Sequence, residues 1–489
     1  MTFKQRITSA DRHQWFWVAV WVAATLFFSF WAGSPWILLF IFLFLDIYIT
    51  KFIPWSFWKK SKNSSFRKTM EWVDAILFAL VAVYFINTFF FQNYQIPTSS
   101  LEKSLLVGDF LAVSKLSYGP RAPITPLSFP LAQHTMPVVG GKSYIEKPQW
   151  GYKRLKGFGN VERNDIVVFN FPTGDTVALN MQGVDFYTLS KLNSNGSTGV
   201  RSDRRTYGEI VYRPVDRREN YVKRCIGLPG ETIALRNDSV FIDGSYLPNP
   251  RFSQHNYMIH TDGTAISTEL FEELGINKAD YATQDNYGQI VARSQDLTGV
   301  DSLSLAMFGL QPRHGNNGRV YYSIPLTDEM VKQLNNKPFV WNIIKEKEQP
   351  DMSYYYPLTY DTGWSRDTFG PLWIPKKGET ITFDSEIPFK VAAYERCIKN
   401  YEGNEFAYRD GKVFINGEEV DAYTFRFDYY FMMGDNRHNS ADSRVWGFVP
   451  EDHIVGKPML IWLSLEKDKG WFNGKIRWNR LFRSARIPA

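Results

Sequence analysis

Three short segments carry side chains that could do nucleophilic chemistry. The first, Ile96-Pro97-Thr98-Ser99-Ser100-Leu101, sets hydroxyls just beyond a hydrophobic stretch. The second, Tyr221-Val222-Lys223-Arg224-Cys225-Ile226-Gly227-Leu228-Pro229-Gly230, places a lysine among apolar neighbours. The third runs from Tyr430-Phe431-Met432-Met433 through Gly434-Asp435-Asn436 into Arg437-His438-Asn439-Ser440-Ala441-Asp442-Ser443-Arg444, a dense set of short polar side chains with two arginines. A serine hydroxyl is a weak nucleophile until a neighbouring base takes its proton. Lysine, with an ordinary pKa of about 10.4, cannot be that base at neutral pH, unless burial among apolar groups disfavours its ammonium form. Strand alternation puts Tyr221, Lys223 and Cys225 on one face and Val222, Arg224 and Ile226 on the other. Each segment alone has a plainer reading. Lys223 could be a surface lysine on a half-buried strand, and the third segment a strand ending in an Asx-type turn.

Composition removes several classes. With 489 residues, 44% hydrophobic and 16% aromatic, the chain is long and apolar enough for two or three folded units and is not disordered. The net charge of +6 includes no lysine/arginine block dense enough for nucleic-acid binding. Two cysteines, Cys225 and Cys397, cannot form a disulfide scaffold or a four-cysteine zinc site. The seven histidines make no HxxxH or HExxH pattern, so neither a metal nor a cofactor is expected.

The elements that must hold these segments begin with a membrane anchor over residues 1–91. Hydrophobic stretches lie at about 15–32, 36–50 and 75–91, the first close to the minimum that spans a bilayer. Lys4, Arg6 and Arg12 precede the first; Lys51, Lys59, Lys60, Lys62, Arg67 and Lys68 lie between the second and third. Positive residues stay cytoplasmic. Both basic groups can do so if the first two stretches turn as a hairpin at Gly33-Ser34-Pro35, after which the third exports the remainder. The second stretch is short and contains Asp46, so a re-entrant hairpin is its alternative. Ser100 follows Phe91 by nine residues, within roughly 30 Å of the membrane edge.

Beyond Ser100 the pattern is mainly strand and turn. Residues 109–113 and 165–169 read as buried strands, and 232–235 with 240–242 as a hairpin around Asn237-Asp238. Pro120–Gly151, rich in proline and glycine, reads as an extended excursion. Helical signals at Ser267–Leu274 and Thr327–Asn335 mark 250–375 as an inserted mixed domain. Residues 92–249 and 376–465 then form the main β domain, and 466–489 a basic, aromatic C-terminal tail that could rest on the membrane interface. Arg224-Cys225-Ile226 and Val240–Gly244 are echoed by Arg396-Cys397-Ile398 and Val413–Gly417, which suggests a second strand pair. Glu395 stands where Lys223 stands in the first copy, so no second centre is implied.

The three segments together resemble type I signal peptidase, a membrane-bound serine endopeptidase with a lysine base. The family's Pro-Ser-x-Ser-Met motif corresponds to Pro97-Thr98-Ser99-Ser100-Leu101, and its Lys-Arg-x-x-Gly-Leu-Pro-Gly stretch to Lys223–Gly230. The resemblance implies Ser100 as nucleophile, Lys223 as general base, and an oxyanion hole from the Thr98 hydroxyl and the Ser100 backbone N–H. It further implies that Ser440 orients the lysine, that Asp442 and Arg444 form a supporting ion pair, and that Arg224, Gly434 and Asp435 support the site. Asp165 matches a further family strand, with Asn164 replacing the customary glycine. The implied fold is a mostly β domain of coiled antiparallel sheets with a mixed α+β insert, preceded by transmembrane helices. The implied activity is removal of N-terminal signal peptides from preproteins with small residues at the first and third positions before the cut. The partners are these preproteins, the lipid bilayer and the protein-export machinery, with no nucleic acid. The location is the cytoplasmic (inner) membrane, multi-pass, with a cytoplasmic N-terminus and the catalytic domain on the outer side. The main departure is Glu102-Lys103-Ser104, where the family usually has x-Pro-Thr. His438 falls at a variable place and reads as a surface residue.

Two other readings compete. Ser100-Leu101-Glu102-Lys103 fits the S-x-x-K pattern of cell-wall transpeptidases, but the same tetrapeptide recurs at Ser464–Lys467 and the partner motifs are missing. A homologue that kept the fold and lost its chemistry would lack Ser100, Lys223 or Ser440, and all are present. An exported location permits a Cys225–Cys397 disulfide, yet equivalent places in echoed strands do not require proximity, and free thiols are the expectation.

Overall fold

The structure, a computed structural model, describes residues 3–138, 140–276, 278–284, 290–292, 295–296, 320–348, 350, 354–467 and 469–486. The chain forms two compact units, Met1–Phe91 with Lys115–Gly159, and Gln92–Ser114 with Asn160–Ala489.

In the first unit, helix α1 (Arg12–Ala32) starts at a capping box in which Asp11 accepts from Gln14 N and the Gln14 side chain accepts from Asp11 N. It ends at Gly33, whose φ of 55° is left-handed, a conformation that costs glycine little. Helix α2 (Ser64–Phe89) is capped by Asn63 and therefore begins well upstream of the apolar run expected at 75–91. Both helices are long and apolar enough to cross a membrane. Phe27, Phe30, Trp72 and Phe78 stand exposed on them, as befits a surface solvated by lipid. The stretch between them is a helical run over Pro35–Thr50. At about 1.5 Å per residue it reaches roughly 24 Å, short of the ~30 Å hydrocarbon core. Asp46 belongs to its end. Its carboxylate accepts from the backbone N–H groups of Phe52 and Ile53 and from Trp55 Nε1, closing the turn that follows. The 115–159 segment folds back on itself through the antiparallel bridges Arg121–Arg154, Ser128–Tyr144 and Thr135–Lys142. It is joined to the helices, since Tyr84 Oη donates to Pro126 O (2.8 Å) and Trp31 Nε1 to Lys156 O (2.9 Å).

The second unit is largely β. Its main sheet uses β1 (Phe91–Gln95), β2 (Asp109–Ser114), β3 (Ile166–Asn170), β4 (Asn220–Gly227), β5 (Tyr429–Met433), β6 (Val449–Pro450), β7 (Ile454–Ser464) and β8 (Arg483–Ser484). The spatial order is β1-β2-β7-β3-β4-β5-β6, with β8 also on β7. The long β7 is antiparallel to both β2 and β3, and β4 is antiparallel to β3 and β5. Register sets Val167 opposite Lys223 and Met433 opposite Arg224. This pairing brings the second and third sequence segments together.

The hairpin Thr232–Arg236/Ser239–Ile242 forms as expected, turning at Asn237 and Asp238, both at positive φ. Between residues 250 and 350, strands His255–Thr261, Val320–Leu326 and Val340–Lys345 form a sheet. Helices α3 (Thr268–Glu273) and α4 (Asp328–Asn335) pack on it through Phe271, Met330 and Leu334. The echo fails at Arg396-Cys397-Ile398, which is the end of helix α5 (Ile387–Arg396) and the turn after it. There Val391, Tyr394 and Ile398 are buried at helical spacing, and Ala392-Ala393 favours a helix. Around Lys223, alternation and β-branched residues favour a strand. Cys225 and Cys397 are both buried and free.

Gly456 lies where β7 passes β2. A Cβ there would meet Ser114 O at 2.4 Å. Gly456→Val is therefore expected to force the strands apart and cost about 1–3 kcal/mol of stability, as overpacking does, which lowers the unfolding midpoint. A midpoint equal to that of the native chain in a denaturant titration contradicts this packing.

Candidate functional site

Ser100 sits in a single tight turn, Ser99–Leu101, immediately after Thr98 in extended conformation. Leu101 and Leu105 are buried with Ile96, Leu111 and Val113 and fasten the turn to the sheet. Its carbonyl oxygen accepts from Asn436 N (3.1 Å), and Asn439 Nδ2 reaches Ser99 Oγ (3.3 Å). The Ser100 turn is thus pinned to the third sequence segment by both backbone and side-chain bonds. Asn436 and Asn439 were not singled out in the sequence, although the Gly-Asp-Asn turn was their signal.

Lys223 enters from β4. Its Nζ lies 2.7 Å from Ser100 Oγ and 3.2 Å from Val222 O, with the lysine 5% and the serine 6% exposed. Burial pushes the ammonium down to about 8, against the pull of the Asp442 and Asp435 carboxylates and with some help from Arg444. The lysine is therefore close to neutral at moderately alkaline pH, and a serine hydroxyl is within reach of it.

Both carboxylates have their own cation. Arg224 donates to Asp435 through Nε and Nη2, both at 2.7 Å, and each residue is about 1% exposed. Ser104 Oγ also donates to Asp435 (2.6 Å), and Arg224 Nη1 donates to Asn164 O (2.8 Å). Burial alone would raise the Asp435 carboxyl; Arg224 and Ser104 bring it below its usual range. Arg444 donates to Asp442 through Nε (2.9 Å) and Nη2 (2.7 Å), and Gly434 N donates to the same carboxylate (3.0 Å). Burial likewise opposes the Asp442 charge and Arg444 restores it.

The structure thus gathers Ser100, Lys223, Arg224, Gly434, Asp435, Ser440, Asp442 and Arg444. Thr98 stands exposed just before the turn, its hydroxyl making no capping bond. Ser440 is buried, but its Oγ has no hydrogen-bond partner among the described residues, so the bond that would orient Lys223 is not made here. Gly434 lies under it: a Cβ would meet Ser440 Oγ at 2.3 Å and Ser100 O at 2.7 Å.

His438 is not the surface residue the sequence suggested, with a side chain only 6% exposed. Its Nδ1 accepts from Asn256 N (3.0 Å), which leaves the proton on Nε2, 2.8 Å from Asp367 Oδ1. With Asp238 these groups lie close enough to hold a metal ion, but an Nε2 that carries the proton has no lone pair to offer. The departures near Ser100 also have a backbone meaning. Lys103 has a φ of 69° and Asn164 one of 68°. Asparagine tolerates that region, whereas proline is locked near −65°, so the turn at Lys103 is closed to proline. Lys103 Nζ donates to Leu274 O (3.3 Å) and to Gly275 O, not to Ser100, which removes the S-x-x-K reading.

A family model described as signal peptidase, peptidase S26, matches residues 69–298 and 424–463. The signal peptidase I of Buchnera aphidicola subsp. Acyrthosiphon pisum is 24% identical over 425 residues, 86% of this chain and 83% of the relative. That of Haemophilus influenzae is 21% identical over 429 residues, 87% and 78% of the two chains. A 36-residue stretch is 64% identical to the signal peptidase I of Aquifex aeolicus, covering 7% of this chain and 14% of that one. Together with the largely β fold and apolar N-terminal helices, these matches define a serine peptidase, a hydrolase of peptide bonds. The chain belongs to the signal peptidase family, peptidase S26.

Two variants test the site's construction. Gly434→Ala must displace Ser100 or Ser440, and a misplacement of about 1 Å can cost ~10²-fold in rate; near-native turnover contradicts the geometry. Arg224→Met leaves a bare carboxylate buried and is expected to cost about 3–5 kcal/mol, most of it recovered in Arg224→Met/Asp435→Leu. Equal midpoints for the two variants contradict a buried pair.

Proposed function

We propose that the chain removes signal peptides from exported preproteins with a Ser100/Lys223 dyad while anchored in the cytoplasmic membrane. The approach of Lys223 Nζ to Ser100 Oγ, 2.7 Å in a buried setting, carries the reading. Neutral Lys223 takes the Ser100 proton as Oγ attacks the scissile carbonyl. The backbone N–H of Ser100 and the Thr98 hydroxyl receive the developing oxyanion; such donors each contribute a few kcal/mol. The lysine ammonium then protonates the leaving amine, which departs with the mature protein. A water molecule, deprotonated by the same amine, attacks the acyl-enzyme ester and releases the signal peptide from Ser100. Ser440, with its hydroxyl uncommitted, is read as a positioning residue for the base. The Asp442–Arg444 and Arg224–Asp435 pairs hold the surrounding backbone.

The substrates carry small residues at the first and third positions before the cut, and the protein-export machinery delivers them. The N-terminus is cytoplasmic, the protein multi-pass, and the catalytic domain on the outer side. The bonds from Trp31 and Tyr84 to Lys156 and Pro126 tie the ends of both helices to one segment, which supports placing those two helix ends on the same side of the bilayer. The second apolar stretch then brings the chain back to the cytoplasmic side, which the bonds from Arg6 Nη1 to Thr50 O and Lys51 O support. In the tail, Trp471, Phe472, Trp478 and Phe482 are largely exposed, which supports contact with the lipid interface, where tryptophan is favoured.

Cleavage of a purified preprotein in detergent, with the new N-terminus mapped, tests the reading. Cut ends after a small-x-small site, absent with Ser100→Ala and with Lys223→Met, are expected. Cleavage that survives in either variant contradicts the dyad. The base works neutral, so activity is suppressed below the lysine pKa and rises with pH through about 8. A flat rate from about pH 6 to 10 under chemistry-limited conditions, the range open to a depressed lysine, contradicts it.

A further inference from the structure

The turn that carries Ser100 is gripped from a second direction. Lys103, three residues on, turns through a left-handed conformation that is uncommon outside glycine. Its half-buried side chain reaches the carbonyl oxygens of Leu274 and Gly275 at the end of helix α3. The final carbonyls of a helix have no partner within it and need an outside donor. This helix end is itself firmly held: Gly275 N donates to Glu272 O (2.8 Å), Ile276 N donates to Phe271 O (2.9 Å), and Phe271 and Ile276 are buried. On the other side, Gln254 N donates to Asp435 O and Arg437 N to Gln254 O, both at 2.8 Å, next to the Asn436 N–H that holds Ser100 O. The 250–276 segment therefore touches both backbone stretches that meet at the dyad. Burial lowers the Lys103 ammonium, and the Glu102 and Asp280 carboxylates oppose this.

We propose that Lys103 is a positioning residue for Ser100, tying the nucleophile's turn to the Leu274–Gly275 helix end so that this segment governs turnover and not substrate affinity. The proposal rests on Ser100 being the nucleophile, as argued above. Lys103 does not bond the dyad, and its effect passes through the Leu101–Leu105 backbone, where Glu102 N donates to Ser99 O and both Ser104 N and Leu105 N donate to Leu101 O.

The test compares the full-length native chain, Lys103→Met, Lys103→Arg and Ser100→Ala in detergent. Preprotein cleavage and amide hydrogen exchange are both measured. Lys103→Met is expected to lower kcat roughly tenfold to a hundredfold, the scale of one charge-assisted hydrogen bond, with KM unchanged. Lys103→Arg, which can donate to the same carbonyls, is expected to return kcat to within a few-fold of native. Exchange at residues 101–105 should quicken in Lys103→Met alone, with the strand Phe406–Arg409 as an unaffected reference. Native kcat in Lys103→Met, a Lys103→Arg as slow as Lys103→Met, or an effect confined to KM overturns the proposal. A native chain that cleaves nothing removes the activity reading instead. The exchange comparison then still decides Lys103: unchanged exchange overturns the tie and faster exchange upholds it.

Discussion

A lysine can act as a base near neutral pH only where its ammonium is poorly solvated, and the second unit is arranged around that requirement. Lys223 is placed by strand pairing, on β4 between β3, where Val167 lies opposite it, and β5, where Met433 lies opposite Arg224. Burial is the largest influence on it and acts downwards. A hydroxyl from a separate segment then completes the pair, and neither group has to move far to react.

The same site holds two carboxylates, which at first sight works against the lysine. A bare carboxylate about 4 Å from an ammonium, at an effective dielectric of about 20, favours the charged form by about 4 kcal/mol. That would be enough to undo the burial effect. The bidentate bonds of Arg224 to Asp435 and of Arg444 to Asp442 spend most of each charge locally. What remains are fixed acceptors that hold Gly434 N and Ser104 Oγ. The pairs shape the backbone under the serine and keep the field at the lysine modest. Breaking either one is expected to change the fold and the ionisation of Lys223 together.

Much of this was legible in the sequence because the site is built from contiguous segments with strong local signals. Alternation over Tyr221–Ile226 marked a strand, the Gly434-Asp435-Asn436 turn marked the end of its neighbour β5, and Asn237-Asp238 marked a hairpin in a separate sheet. What could not be read depends on tertiary contact. The Arg396-Cys397-Ile398 echo shared composition with a strand but sits at the end of a helix whose apolar spacing is helical. His438 is interior because Asp367 and Asn256, distant in sequence, close over it. The partners of Asn436 and Lys103 likewise lie far along the chain, at Ser100 and Gly275. The shortness of the 36–50 stretch was visible in the sequence; the start of helix α2 was not, because Asn63 caps it at Ser64, well before its apolar run begins.

The depressed ionisation of Lys223 is the claim on which the mechanism rests. Heteronuclear NMR of the chain carrying 13Cε/15Nζ-labelled lysine, titrated in detergent, observes it without reference to turnover. The account predicts one lysine resonance titrating near 8, absent from Lys223→Met. If that resonance instead titrates near the ordinary ~10.4, Lys223 is charged at working pH and the proposed base cannot act.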